Sequence, residues 1–97
     1  MLLQLKQELR KYANIQKAII LSSFFKTGKG EYGYGDKFLG VTVPESRMIA
    51  KKFLNLNLSE IKKLLHSEFH EERLVALLIL VERYRKSEND SKDKKLP

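Results

Sequence analysis

Residues 24–53 read FFKTGKGEYGYGDKFLGVTVPESRMIAKKF, and how this stretch is parsed decides the fold. Four glycines, Gly28, Gly30, Gly33 and Gly35, stand within eight positions, among Lys26, Lys29, Tyr32, Tyr34 and Lys37. Gly28, Gly30 and Gly33 satisfy G-x-G-x-x-G literally. In a dinucleotide-binding unit those glycines join a strand to the helix they open. Here Tyr34, Gly35 and Asp36 follow instead, and the first good helix start is at Thr42. Thr42 and Glu45 have capping-box spacing, and Pro44 is tolerated in a first turn, where its missing N–H would be unpaired anyway. The stretch is therefore a long basic loop that feeds a capped helix. Loops of this length inside compact domains are usually functional or disordered.

Working outward, the flanks are helical. Leu2, Leu3, Leu5, Leu9 and Tyr12 fall near helical spacing between charged residues, which predicts an amphipathic helix over 2–12. Asn14 is placed to cap the next helix through its side-chain oxygen. There Ile15, Ala18, Ile19, Phe24 and Phe25 continue the apolar spacing. The run AIILSSFF (18–25) fits a buried strand equally well by periodicity. Helix is the better reading because no second strand exists to pair with it. Beyond Thr42, the residues Met48, Ile49, Phe53 and Leu56 mark a buried side, and Arg47 and Lys51 lie one turn apart on another.

Asn57 and Glu60 repeat the cap spacing for a helix over 58–66 that buries Leu58, Ile61, Leu64 and Leu65, with Lys62 and Lys63 outward. After Ser67, Glu71 and Glu72 sit in the first turn of a fifth helix, and Arg83, Arg85 and Lys86 in its last, which suits the helix dipole. Between them LVALLILV (74–81) is apolar all round, so it needs cover on several sides. Few elements are at hand to supply it, which points to neighbours further along a chain or in another subunit. The closing SENDSKDKKLP (87–97) is predicted to be a polar linker or disordered tail. The expected fold is all-α: about five helices over residues 1–86 in antiparallel pairs, as a bundle or a helical-repeat superhelix.

The totals narrow the function classes. With 97 residues the chain suits one domain or part of one, with a core of limited size. There is no Cys, which excludes a disulfide scaffold and a thiolate zinc site. Nothing resembles an 18-residue apolar span or a signal peptide, so a cytoplasmic protein without membrane contact is expected. Nineteen Lys and Arg against 12 Asp and Glu leave a net charge of +7, which favours an anionic partner.

Catalytic signals are weak by comparison. His66 and His70 have i, i+4 spacing, but Ser67 stands where a metalloprotease helix carries Glu, no third ligand is placed, and a helix break near Ser67 separates them. No cofactor or metal is called for. Ser22, Ser23, Ser46, Ser59 and Ser67 lack the glycine frame of a nucleophile elbow. No carboxylate is forced into an apolar run as a candidate acid or base. The candidate binding residues are Lys29, Lys37, Arg47 and Lys51, a strip suited to phosphate contacts, which position a protein on a duplex without reading its sequence.

The run KTGKGEYGYGDKFLGVTVPESRMIAKKF (26–53), together with LVALLILVERYRK (74–86), resembles the N-terminal part of the DNA alkylation repair proteins, the AlkD-like DNA glycosylases. The resemblance covers most of residues 5–86. It implies HEAT-like helical repeats, a basic concave surface for double-stranded DNA, and a whole protein that releases alkylated purines. In the family the catalytic aspartate and the tryptophans near the lesion lie downstream of the linker that begins here around Ser87. This sequence contains no Trp, and no catalytic position carries over. The resemblance therefore implies an N-terminal scaffold region that lacks the catalytic residues and contributes to a DNA-binding surface. The alternative is a non-catalytic helical-repeat module for protein interaction or oligomerisation through the 74–81 helix. The apolar girth of that helix fits both readings, because in a repeat array the next helices would cover it.

Overall fold

The computed structural model describes residues 1–24 and 35–95, with side chains up to Glu88. Among the described residues the chain forms five helices: α1 (Leu2–Lys11), α2 (Ile15–Phe24), α3 (Val43–Lys52), α4 (Leu58–Leu65) and α5 (His70–Lys95). The only extended pairing among them is an isolated parallel bridge between Lys37 and Phe69. The fold is all-α, as the periodicities predict, and AIILSSFF does not become a strand over its described part. Lys29 lies outside the described residues.

Local chemistry sets most of the helix starts. Thr42 Oγ1 accepts from the Glu45 N–H at 3.3 Å, and Glu45 Oε1 accepts from the Thr42 N–H at 2.9 Å, completing the capping box. Asn57 Oδ1 accepts from the Glu60 N–H at 2.9 Å, and Asn14 Oδ1 from the Lys17 N–H at 3.0 Å. The second half of the expected Asn57–Glu60 pair goes elsewhere. Glu60 Oε2 accepts from the N–H of Leu2 at 3.1 Å, so it satisfies an orphan donor at the start of α1. A local motif thus becomes a tertiary tie between α4 and α1.

The core gathers on α5. Helices α3 and α4 both pack against it, and α1 packs on α3 and α5. Leu5 and Leu9 of α1, Ile49 and Ala50 of α3, Leu56 of the α3–α4 turn, Ile61 and Leu64 of α4, and Val75, Ala76 and Ile79 of α5 are all buried in one cluster. Each fully buried Leu or Ile contributes about 1.5–3 kcal/mol relative to exposure. Arg83 closes the far end by donating from Nη1 to the Leu56 carbonyl at 2.9 Å.

Some expectations about burial and helix length change. Met48 and Leu58 are exposed, as is Leu3. Leu58 is the first residue of α4, and the Asn57 cap turns the α4 seam onto Ile61 and Leu64. The larger change is α2, which buries no residue; Ile15 is 79 % and Ile19 65 % exposed. Finally, α5 does not stop near Lys86 but continues through Lys95. A contact one helical turn apart spans the start of that extension: Tyr84 donates to Glu88 at 3.1 Å.

Candidate functional site

Of the candidate phosphate-binding residues, Arg47 and Lys51 come out as the spacing predicts. The buried side of α3 is Ser46, Ile49 and Ala50. Arg47 and Lys51 are exposed beside it, one turn apart. Lys52, on the other flank, is drawn to Glu8 of α1 at 3.4 Å. No ion pair among the described residues involves Arg47 or Lys51, and both side chains are exposed. Lys62 and Lys63 of α4 are likewise exposed.

Lys37 is placed differently. Its N–H donates to the Glu68 carbonyl at 3.2 Å and its carbonyl accepts from the His70 N–H at 2.8 Å. Its ammonium pairs with Glu68 at 3.2 Å. Both partners of that ion pair are more than half exposed, where such pairs contribute roughly 0–1 kcal/mol. Lys37 thus belongs to the turn that starts α5 rather than to the Arg47–Lys51 flank.

The residues that pattern reading missed are Glu71 and Glu72. Both were expected as first-turn dipole partners, and both are buried, at 1 % and 2 % exposure. Glu71 Oε1 accepts from the Leu39 N–H at 2.9 Å, and its Oε2 accepts from Gly40 at 2.9 Å and Val41 at 3.1 Å. One carboxylate therefore holds three consecutive amides of the segment before α3. Gly40 makes this possible. Its φ is +83°, and a Cβ there would collide with the Asn14 carbonyl oxygen and the Ala18 nitrogen.

Glu72 gathers the other side. It accepts from Ser67 Oγ at 2.6 Å and from Arg10 Nη1 at 2.9 Å, with Lys6 Nζ at 3.9 Å. Arg10 also lies over the Phe69 ring, 5.3 Å from its centroid. Arg73 ties the same turn down by donating to the Ser67 carbonyl at 2.7 Å and to Asp36 at 3.0 Å. Both carboxylates are thus engaged by several fixed partners. The sequence hint was adjacency: two glutamates one residue ahead of an apolar run.

The histidines do not form a pair. His66 ends α4, with Nδ1 2.8 Å from the Lys62 carbonyl, and His70 opens α5, its ring 4.9 Å from that of Phe38. No group of three metal-binding side chains exists among the described residues. A cavity of about 470 Å³ lies between α2 and the α3–α5 body, lined by Lys17, Ile20, Leu21, Phe24, Val41, Thr42, Val43, His70 and Leu74. Its walls are mostly apolar.

Two carboxylates have clear electrostatic settings. Glu45 is held below the ordinary carboxylate range, first by the Thr42 N–H and then by its hydroxyl. Glu8 is lowered first by its hydrogen bond with Lys11. Among the described residues no helix is long and apolar enough to cross a membrane. In comparisons with known proteins, the family model described as DNA alkylation repair enzyme matches residues 5–95. No curated protein and no solved structure matches.

Proposed function

We propose that this chain, which belongs to the DNA alkylation repair enzyme family, is an N-terminal HEAT-like scaffold region of a glycosylase-like protein of that family. It contributes to a basic surface that holds double-stranded DNA by its phosphates, and it supplies no catalytic residue of its own. The observation that carries the reading is the exposed Arg47–Lys51 pair on α3, set in a chain of net charge +7. Lys37, which pairs with Glu68 away from that flank, and Lys29, outside the described residues, are the further proposed phosphate contacts. The engagement of Glu45, Glu60 and Glu71 with backbone amides, and of Glu72 with Ser67 and Arg10, supports the non-catalytic part.

The test is anisotropy with a labelled duplex across a salt series. Each phosphate contact contributes a slope of about −0.9 in log K against log salt. Replacing Arg47 and Lys51 by alanine is expected to reduce that slope by about two. An unchanged slope, or no binding at low salt, refutes the surface. Release of methylated purines by this chain alone would refute the non-catalytic assignment.

A second reading has its own observation. Leu77 is 51 % and Val81 44 % exposed on α5, so the 74–81 helix keeps an apolar flank. That flank suits a protein-interaction or oligomerisation surface. Light scattering at high concentration tests it: a strict monomer counts against self-association.

A further inference from the structure

We propose that the cavity between α2 and the α3–α5 body binds a small free organic anion with an apolar tail, of the class of a medium-chain carboxylate. Its volume of about 470 Å³ falls within the range of small-molecule pockets, about 300–1,000 Å³. Such pockets are mostly apolar, with a few polar groups that fix the orientation of the ligand. This cavity has that make-up. Ile20 and Phe24, one turn apart, line it from α2, and Val41, Val43 and Leu74 line it from the body. Ile20 and Phe24 are 67 % and 74 % exposed, so an apolar tail laid against them removes apolar surface from water.

The choice of an anion comes from the lining. Among the described lining residues Lys17 is the one Lys or Arg, and none is a carboxylate. Lys17 is exposed and takes part in no ion pair among the described residues. Glu45 feels its charge, but that carboxylate is held first by the Thr42 N–H and then by its hydroxyl, and Lys17 is the weakest influence on it. An ammonium beside an apolar cavity attracts an anionic head and repels a cationic one. The walls are fixed to one another through residues 39–41. The Leu39 carbonyl accepts the Asn14 N–H at 2.9 Å, and Gly40 abuts the Asn14 carbonyl and the Ala18 nitrogen, where a Cβ has no room. Glu71 of α5 holds the amides of Leu39, Gly40 and Val41. The cavity is thus preformed, and a ligand enters it without any helix moving. Arg47 and Lys51 are not among its walls, so the site is separate from the proposed phosphate surface.

Proton–nitrogen NMR of the full chain, titrated with sodium decanoate below its micelle concentration, tests this. Saturable shifts are expected at residues 17–21, 41–43 and 74, with affinity rising about fourfold per methylene from hexanoate to decanoate. Decanoate is expected to bind about threefold more tightly than decanol, the size of an exposed ion pair, and Lys17→Gln to remove that preference. Val43→Trp fills the cavity, and Ile20→Glu sets a like charge in its wall. Both positions are exposed, where substitutions cost little stability, and each change is expected to weaken decanoate binding by about tenfold or more. The absence of saturable shifts, shifts spread away from these residues, or equal affinity for decyltrimethylammonium would overturn the site. Association with phosphatidylglycerol vesicles without any response to free decanoate would overturn it as well, because the apolar walls would then meet a lipid surface. Duplex binding through Arg47 and Lys51 is left untouched by each of these outcomes.

Discussion

Helices α2 and α5 carry similar apolar runs, AIIL at 18–21 and LVALLILV at 74–81, and the structure treats them in opposite ways. In α5, Val75, Ala76 and Ile79 are fully buried at the centre of the core. In α2 no side chain is buried. Hydrophobicity does not separate the two. The difference lies in what precedes each run. Glu71 and Glu72 anchor the first turn of α5 to three other segments: α1, the Ser67 turn, and residues 39–41. The first turn of α2 is tied, among the described residues, by its own Asn14 cap and by the bond from the Asn14 N–H to the Leu39 carbonyl. Buried polar groups with satisfied partners decide which apolar helix becomes the core, since burying them unpaired would be costly.

The sharpest way to break this contrast is to truncate an isoleucine in each helix. Ile79→Ala is expected to destabilise by about 2–5 kcal/mol through lost burial and the cavity left behind. Ile19→Ala, at an exposed site, should stay within about 0.5 kcal/mol. Urea denaturation followed by circular dichroism compares them, and similar losses would mean that α2 is as much a part of the core as α5.

Next in size is the anchor itself. Glu72→Ala strands Arg10 and Ser67 and should lose about 2–4 kcal/mol, discounted at the Arg10 end because that side chain is 43 % exposed. The same denaturation curves measure it. Thr42→Ala, which removes one hydroxyl from the α3 cap, is expected to lose about 1 kcal/mol and leave the midpoints of other variants additive to it.

A smaller effect comes from pH. Glu45 has a folded pKa below that of an unfolded glutamate, about 4.3. Its contribution is therefore fully present above that value and fades as pH falls through the lowered folded pKa. Glu45→Gln should flatten the acid limb of the stability profile as pH falls below about 4.3, read as thermal midpoints at each pH. The smallest expected change in stability is that of the Arg47→Ala, Lys51→Ala double variant, within about 0.5 kcal/mol, because both side chains sit in solvent. Its effect belongs in the salt dependence of DNA binding.

Much of the fold was legible. Helices α1, α3 and α4 follow from leucine and isoleucine spacing, and their starts from Thr42 and Asn57. The exposure of Arg47 and Lys51 follows from the wheel of α3. What was not legible was long-range. Glu60 looked like the return half of a local cap and instead ties α1 to α4. Lys37 looked like one of four equivalent cations and instead is engaged with Glu68. Glu71 and Glu72 read as first-turn dipole partners, because nothing in the order of residues tells that three amides 30–32 positions away will meet the Glu71 carboxylate.

By itself the sequence determined that this protein is helical, where most of its helices begin, that it carries a surplus of positive charge, and which family it resembles. These depend on periodicity, capping and composition, which act over a few residues or none. Only the tertiary structure decided which apolar helix forms the core and which stays at the surface. That choice depends on where buried carboxylates find their donors, and those donors come from distant parts of the chain brought together by folding.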